Sequence, residues 1–265
     1  MDSTARLVAA LDGRGRTVPT TLFGEAPLLL RVTSEDTGAG SGLEVHLVGG
    51  AAGPLCGDRL RTSIDVGAGA ALTVRSVAAS LAQPGPCGSS GSTATVGAVL
   101  AAGASLDWWP EPLVSVRGSD HTLTTTVDID VDAGPVRWVD EVVLGRHDEV
   151  GGRLSMHQRF SVGGRPLLRH SVTFDPATAG IGRHGSARVA VTAVAVGGPV
   201  LTAASSIEAG LRVVRYPLNP ACTAWIALGD DLDRARDALA RLGLERASGI
   251  LDDPATAFDR YETSA

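Results

Sequence analysis

Short runs of β-branched and alternating apolar residues, each broken by a glycine-rich turn, recur along the chain. Five segments share this layout, and Val, Thr and Ile, which pack well in strands, flank their turns. The segments are Thr62–Val74, Thr95–Trp109, Leu123–Val139, Arg159–Phe174 and Arg188–Ala203. Their turn glycines, at positions 69, 103, 134, 164 and 198, follow one another at intervals of 34, 31, 30 and 34 residues. A near-constant interval with one turn type predicts a repeated, hairpin-like unit.

This repeat predicts a mostly β fold in which hairpins stack into an elongated, β-helix-like architecture. An ordinary β-sandwich is the alternative, because any antiparallel sheet contains glycine turns. Apolar residues recur every three or four positions within residues 230–242, which predicts one or two α-helices near the C-terminus. Residues 81–93 are rich in Pro, Gly and Ser and predict a flexible loop. No linker is evident, so we expect a single domain over residues 1–265.

Composition narrows the cellular setting. Hydrophobic residues make up 44% of the chain and aromatic residues 4%, so the core must consist mainly of small side chains. The net charge is −6 and no basic run is present, which disfavours nucleic-acid binding. Cys56, Cys87 and Cys222 form no close pair, as is typical of a reducing compartment. No apolar run suggests a signal peptide or membrane helix, so we expect a cytoplasmic protein without membrane contact.

The familiar motifs of catalysis and cofactor binding are not found in the sequence. The chain has no Lys and hence no Walker lysine, and residues 67–72, GAGAAL, depart from the dinucleotide fingerprint at the last position. G-x-S-x-G, C-x-x-C and H-E-x-x-H are also missing. We therefore expect no self-contained active site and no tightly bound cofactor.

Acidic residues interrupt several apolar strand patterns, and a buried carboxylate is costly unless it is paired or hydrated. These residues are Asp58, Asp107, Glu111, Asp140 and Glu141. They indicate either a polar interior path or an interface with arginine partners. The competing interpretation is that strand alternation places them on a solvated sheet face.

Four segments resemble, in the same order, motifs of the UreD/UreH family of urease accessory proteins. CGDRLRTSIDVGAGAALTV at 56–74 is similar to that family's GGD segment and the following hairpin. GASLDWWPEPLVSVRGS at 103–119 and WVDEVVLGRHDEVGGRL at 138–154 resemble its GA-x-LEWLPQP and E-x-x-x-LGR segments. GRPLLRHSVTFD at 164–175 is similar to its G-x-PLLRD strand.

The resemblance implies a non-enzymatic scaffold for assembling the nickel centre of urease. Its partners would be a UreF-like accessory protein, a UreG-like GTPase recruited through UreF, and the urease apoprotein. The family's fold is rich in stacked β-strands, and a water-filled passage has been proposed to conduct nickel. We expect transient nickel binding, with Arg59 and Arg146 as candidate partners of the acidic residues. The candidate path residues are Asp58, Glu111, Asp140 and Glu141.

Two other functions remain open. A carbohydrate-active β-solenoid enzyme would use Asp107, Glu111 and Asp140 as its acid and base, in a groove lined by Trp108, Trp109 and Trp138. A β-sandwich interaction module without a metal role is the third possibility.

Overall fold

A computed structural model describes residues 1–35, 42–86, 90–178, 187–199 and 201–246, which form eighteen β-strands and one α-helix. The strands of the first half are β1 (Asp2–Leu11), β2 (Thr17–Gly24), β3 (Leu28–Glu35), β4 (Leu43–Gly49), β5 (Arg59–Val66), β6 (Ala71–Ser76), β7 (Ser80–Ala82), β8 (Ser92–Leu100) and β9 (Ser105–Trp108). Those of the second half are β10 (Leu113–Ser115), β11 (Asp120–Ile129), β12 (Val136–Leu144), β13 (Arg153–Val162), β14 (Arg165–Phe174), β15 (Val189–Val196), β16 (Ala204–Glu208), β17 (Leu211–Asn219) and β18 (Cys222–Gly229). One 3-10 turn covers Pro176–Thr178, and α1 covers Leu232–Arg241.

The strands form two sheets, and the chain alternates between them. Sheet A has the order β14-β13-β11-β8-β5-β1-β2, and sheet B has the order β16-β17-β18-β15-β12-β9-β6-β4-β3 with β10 and β7 attached through β12. The central neighbours of both sheets are parallel, because each coil of the chain contributes one strand to each sheet. Antiparallel strands close both ends of the stack. The predicted β-helix-like architecture is confirmed.

The glycine turns are mostly corners between the sheets rather than hairpin loops. Gly69 and Gly103 adopt φ of +70° and +68°, where an L side chain is strained, and they pass the chain from sheet A to sheet B. The Gly69 N–H donates to Ala102 O at 3.0 Å and the Gly103 N–H to Asp132 O at 2.8 Å, so the corners of successive coils stack. The hairpin interpretation is wrong for the first three segments. It holds for the fourth, where β13 and β14 pair around Gly164, whereas after the fifth turn β15 pairs with β12 and β18. Parallel strands cannot join through a tight turn, so each strand finds its partner one coil, or roughly 30 residues, away.

Alternation along the strands divides the apolar side chains between three clusters. One lies between the sheets on the side of the glycine corners, and another lies between the sheets around Leu154 and Met156. The third lies between sheet B and α1, which buries Ala235, Ala238 and Leu239. Asp231 caps α1 by accepting a hydrogen bond from the Arg234 N–H at 2.9 Å. The helix predicted around residues 230–242 is thus confirmed.

The Pro, Gly and Ser-rich segment predicted as a loop is bounded by strands. β7 ends at Ala82 and β8 begins at Ser92, while residues 87–89, including Cys87, lie outside the described part of the chain. Flexibility of this segment stays a prediction. Among the described residues, no helix has the length and apolar character that a membrane span requires.

Candidate functional site

The acidic residues of the middle coils lie on both faces of sheet B. In β12 the side chain of Trp138 points into the space between the sheets, Val139 points outward, and the alternation continues through Asp140 and Glu141. Asp140 therefore faces the interior, whereas Glu141 faces α1. Both side chains are buried, so the interpretation that they lie on a solvated face is wrong.

The Asp140 carboxylate accepts hydrogen bonds from neutral donors only. Trp108 Nε1 donates to Oδ1 at 3.3 Å, and Trp138 Nε1 donates to Oδ2 at 3.0 Å. Gln158 Nε2 and Thr125 Oγ1 reach Oδ2 at 2.8 and 3.5 Å. Burial raises the pKa of Asp140 above its ordinary value, although the four donors oppose that rise. Within the described chain no cationic side chain pairs with this carboxylate.

Gln158 extends this cluster toward the surface. Its Nε2 also donates to Thr192 Oγ1 at 2.9 Å, and its Oε1 accepts from His170 Nδ1 at 3.3 Å. Thr125, Gln158 and His170 stand in one register row across β11, β13 and β14. His170 is half-buried, and burial lowers its pKa. We call Thr125, Asp140, Gln158, His170 and Thr192 the interior polar row; it runs from the core to a partly exposed histidine.

Two stacked indoles adjoin the interior polar row. Trp108 and Trp138 have ring centroids 4.5 Å apart with an interplanar angle of 10°, and both rings donate to Asp140. Neighbouring parallel strands bring these tryptophans into register. The indole N–H groups thus gain the acceptor that buried tryptophan needs.

On the outer face of sheet B, Glu141 is held by α1. Its side chain has 0% exposure, and Arg236 of α1 reaches Oε1 through Nε at 3.0 Å and Oε2 through Nη2 at 2.5 Å. Trp109 Nε1 donates to Oε1 at 2.9 Å. Hydrogen bonding to Glu141 raises the pKa of Arg236 further. This two-point contact joins the helix to the solenoid.

Glu111 belongs to the same cluster. Arg246 Nη1 donates to its Oε1 at 2.7 Å, and Arg236 Nη2 lies 3.5 Å from its Oε2. Partial burial raises the pKa of Glu111, but the two guanidinium groups outweigh burial, and the pKa lies below its ordinary value. We call Glu111, Glu141, Arg236 and Arg246 the outer clasp.

Asp107 continues the charged layer along the same face. It accepts from Arg75 Nη2 at 2.5 Å and from Arg137 Nε and Nη2 at 2.8 and 2.5 Å. Burial raises its pKa, yet hydrogen bonds and charge from Arg137 and Arg75 bring the net pKa below its ordinary value. Arg137 also donates to Glu245 O at 2.8 Å, which ties residues after α1 to the sheet.

Asp58 lies apart from both clusters, at the start of β5. Its Oδ1 is 2.6 Å from the N-terminal amine of Met1, and its Oδ2 accepts from the Leu55 N–H at 2.9 Å. The arginines predicted to pair with the candidates do not do so: Arg59 lies 3.9 Å from Asp2, and Arg146 pairs with Glu149 at 2.9 Å. Arg236 and Arg246 take that role because the helix places them over β12.

The sequence reasoning missed Gln158, His170, Arg236 and Arg246. A signal existed for Gln158, since Leu154, Met156 and Phe160 alternate around it and mark its position as inward-facing. The pairing of Arg236 with Glu141 spans 95 residues, and no local pattern marks it.

The arrangement contradicts the proposed carbohydrate groove. Trp108, Trp109 and Trp138 are 4%, 2% and 1% exposed, so they line no open surface. Asp107 and Asp140, offered as members of one acid–base pair, lie on opposite faces of sheet B.

No three His, Cys, Asp or Glu side chains come together as a metal-binding group within the residues that the structure describes. The four candidate residues are accordingly distributed: Asp140 in the interior polar row, Glu111 and Glu141 in the outer clasp, and Asp58 at the N-terminus.

Comparison with known proteins places the chain in a family. The model of the family described as UreD urease accessory protein matches residues 2–257. A urease accessory protein UreD from Parafrankia sp. is 37% identical over 94% of this chain and 90% of its own length. Urease accessory protein UreD from Frankia alni is 34% identical over 83% of this chain and 85% of its own. Urease accessory protein UreD 3 from Streptomyces griseus is 41% identical over 67% and 68%. The chain therefore belongs to the UreD family of urease accessory proteins.

Proposed function

We propose that this protein acts by binding rather than catalysis, as a scaffold on which the nickel centre of urease is assembled. Family membership supports a role in urease maturation. The observation that carries the metal-handling part is the Asp140 carboxylate, which is 6% exposed and has only neutral hydrogen-bond donors around it. A buried carboxylate without a counter-charge creates a negative potential that a divalent cation would offset.

The four candidate path residues are unequal in this respect. Arg236 and Arg246 neutralise Glu141 and Glu111, and the N-terminal amine neutralises Asp58. Asp140 keeps its charge available, and Gln158 connects it to the half-buried His170. Carboxylate oxygen and imidazole nitrogen are both suitable ligands for Ni²⁺ as a cargo that binds weakly and moves on. We therefore narrow the proposed nickel path to Asp140 and His170, and assign the other three residues to holding the structure together.

The proposed partners are a UreF-like accessory protein, a UreG-like GTPase bound through it, and the urease apoprotein, all in the cytoplasm. These partners follow from the family resemblance. Neither nucleic acid nor a membrane is among them, in line with the net charge of −6 and the lack of a basic run.

The test compares two neighbouring variants in cells that express the complete urease maturation system. Asp140→Asn removes the interior charge at nearly constant volume, and Glu141→Gln on the same strand removes an outer-clasp charge. We expect Asp140→Asn to lower the nickel content of purified urease several-fold while the accessory proteins still co-purify, and Glu141→Gln to leave nickel content near wild type. Glu141→Ala would be a poor probe, since it strips the partner from both Trp109 and Arg236.

Two outcomes would contradict the proposal in different ways. Full nickel loading by Asp140→Asn, with its complexes intact, would leave a metal-independent interaction module. Failure of the wild-type chain to bind any accessory protein or urease apoprotein would overturn the scaffold role itself.

A further inference from the structure

The outer face of sheet A carries a set of exposed arginines on a flat polar surface. Two register rows contain them: one runs Thr4, Arg61, Thr95, Thr124, His157, Ser171, and the next runs Arg6, Ser63, Gly97, Thr126, Arg159, Arg169. We call Arg61, Thr95, Gly97, Thr124, Thr126, Arg159 and Arg169 the arginine face. Arg61, Arg159 and Arg169 are all exposed.

The three guanidinium groups of the arginine face have no counter-charge. Other arginines on this side of the solenoid do find one, such as Arg6 with Asp65 at 3.4 Å and Arg153 with Asp120 at 3.2 Å. Within the described residues, Arg61, Arg159 and Arg169 enter no ion pair or side-chain hydrogen bond. Arg159 and Arg169 are moreover cross-strand neighbours, an arrangement in which like charges destabilise a sheet.

Protection of a sheet edge does not explain these charges. Arg169 is on the edge strand β14, where a charged side chain discourages unwanted strand pairing. Arg61 and Arg159, however, lie on β5 and β13, and each of these strands has hydrogen-bonded neighbours on both sides.

Gly97 keeps the middle of the arginine face flat. It occupies an outward position within β8, its φ is not positive, and a Cβ added there would meet nothing within 4 Å. Neither the backbone nor the packing requires glycine here, although glycine weakens a strand. A glycine of this kind in a strand is typical of a place where another backbone approaches closely. The hydroxyls of Thr95, Thr124 and Thr126 around it make no hydrogen bond within the described chain.

We propose that the arginine face is a docking surface for a flat, acidic surface of a partner protein. Arg61 and Arg159 lie three strands and two residues apart, which sets their Cα atoms about 15 Å apart. The partner would present carboxylates at a similar spacing, with a small or extended backbone segment over Gly97. Arg pairs with carboxylates through two parallel hydrogen bonds, which gives such contacts both strength and orientation.

A phosphate backbone fits this surface less well than a carboxylate-bearing protein. Asp65 and Asp128 lie in the next register row of the same sheet face, joined through Val99, and they would repel a continuous line of phosphates. The chain as a whole is also acidic, with a net charge of −6.

The test rests on the proposed function in using urease apoprotein as the main probe, immobilised for interferometry. Arg61→Glu/Arg159→Glu reverses the charge, and Arg14→Glu/Arg212→Glu, at two exposed sites elsewhere, makes the same change in net charge. Gly97→Tyr adds bulk to the arginine face, and Gly13→Tyr adds it at a turn that is equally open. Thermal unfolding of every variant confirms that the fold is retained.

We expect both arginine-face variants to lose at least about tenfold in affinity and both controls to stay within about twofold of wild type. The wild-type affinity should also fall as salt rises from about 0.05 to 0.3 M, because charge attraction is screened. Equal binding by wild type and the arginine-face variants would overturn the inference and leave the proposed scaffold role standing.

A partner-independent probe covers the case in which the wild type does not bind the apoprotein, which would count against the proposed function. A glutamate peptide of about ten residues should then bind the wild type more tightly than Arg61→Glu/Arg159→Glu, by fluorescence anisotropy. No difference between them would overturn the inference. Tighter binding of a short DNA duplex than of the peptide, through the same arginines, would replace a protein partner with a nucleic acid.

Discussion

The outer clasp makes a quantitative prediction about how α1 is held. Glu141 has a side-chain exposure of 0% and Arg236 one of 27%, so their ion pair is largely desolvated. Breaking a buried pair by removing one partner costs about 3–5 kcal/mol. Glu141→Gln keeps an acceptor for Trp109, and Arg236 keeps Glu111 at 3.5 Å, so we expect the lower end, about 2–3 kcal/mol. Glu141→Ala also leaves the Trp109 N–H without an acceptor and should cost about 1 kcal/mol more.

The assay is a double-mutant cycle of Glu141→Gln and Arg236→Gln, with the free energy of unfolding measured in urea at pH 7. We expect a coupling energy of about 1.5–2 kcal/mol, since residues in one hydrogen-bonded ion pair do not act additively. The matched control is Arg241 with Glu208, a 2.8 Å pair whose side chains are 59% and 42% exposed. Its coupling should stay below about 1 kcal/mol, as for surface pairs in general. Equal coupling in both cycles would refute the reasoning, because burial would then add nothing.

Three further predictions concern stability. Burial lowers the pKa of His121 to about 4, so its contribution is complete above pH 6.5 and falls by about 3 kcal/mol as pH drops toward 4; urea unfolding across this range should show a flatter profile for His121→Gln, apart from a smaller part due to His170. Gly145→Ala should cost about 2–3 kcal/mol in the same assay, because a Cβ there would lie 2.1 Å from Glu149 O at a φ of +89°. Asp231→Ala should cost about 1 kcal/mol by thermal or urea unfolding, since it removes the N-cap of α1.

Each of these predictions has its own control. An unchanged pH profile for His121→Gln would mean that other groups govern acid sensitivity. Gly13→Ala, where a Cβ meets nothing within 4 Å, should be nearly neutral, and an equal loss there would remove the steric argument for Gly145. Asp231→Asn should retain most of the cap, so a loss as large as that of the alanine variant would count against capping.

The repeat was predictable because its cause is local. Strand alternation and a left-handed glycine at each corner are visible in any window of the chain, and the interval of 30 to 34 residues measures one coil. What a glycine turn cannot indicate is whether its flanking strands pair with each other. The partners of β5 are β1 and β8, each about one coil away, and that choice depends on the whole stack.

The candidate site was only partly predictable for the same reason. Adjacent acidic residues in a strand must point to opposite faces, so the separation of Asp140 from Glu141 followed from the sequence once β12 was assigned. Which of the two would meet an arginine did not follow. Arg236 reaches Glu141 because α1 folds back over sheet B after 95 residues of intervening chain.

By itself, the sequence determined the β-rich class, the coil length, the C-terminal helix and the family resemblance, since periodicity, turn chemistry and motif order are properties of short segments. Only the tertiary structure decided that three of the four nominated carboxylates are neutralised and that Asp140 is not. It also decided that Arg61 and Arg159 share one sheet face without a counter-charge. Charge compensation depends on distances between residues far apart in the chain, and those distances exist only once the coils have stacked.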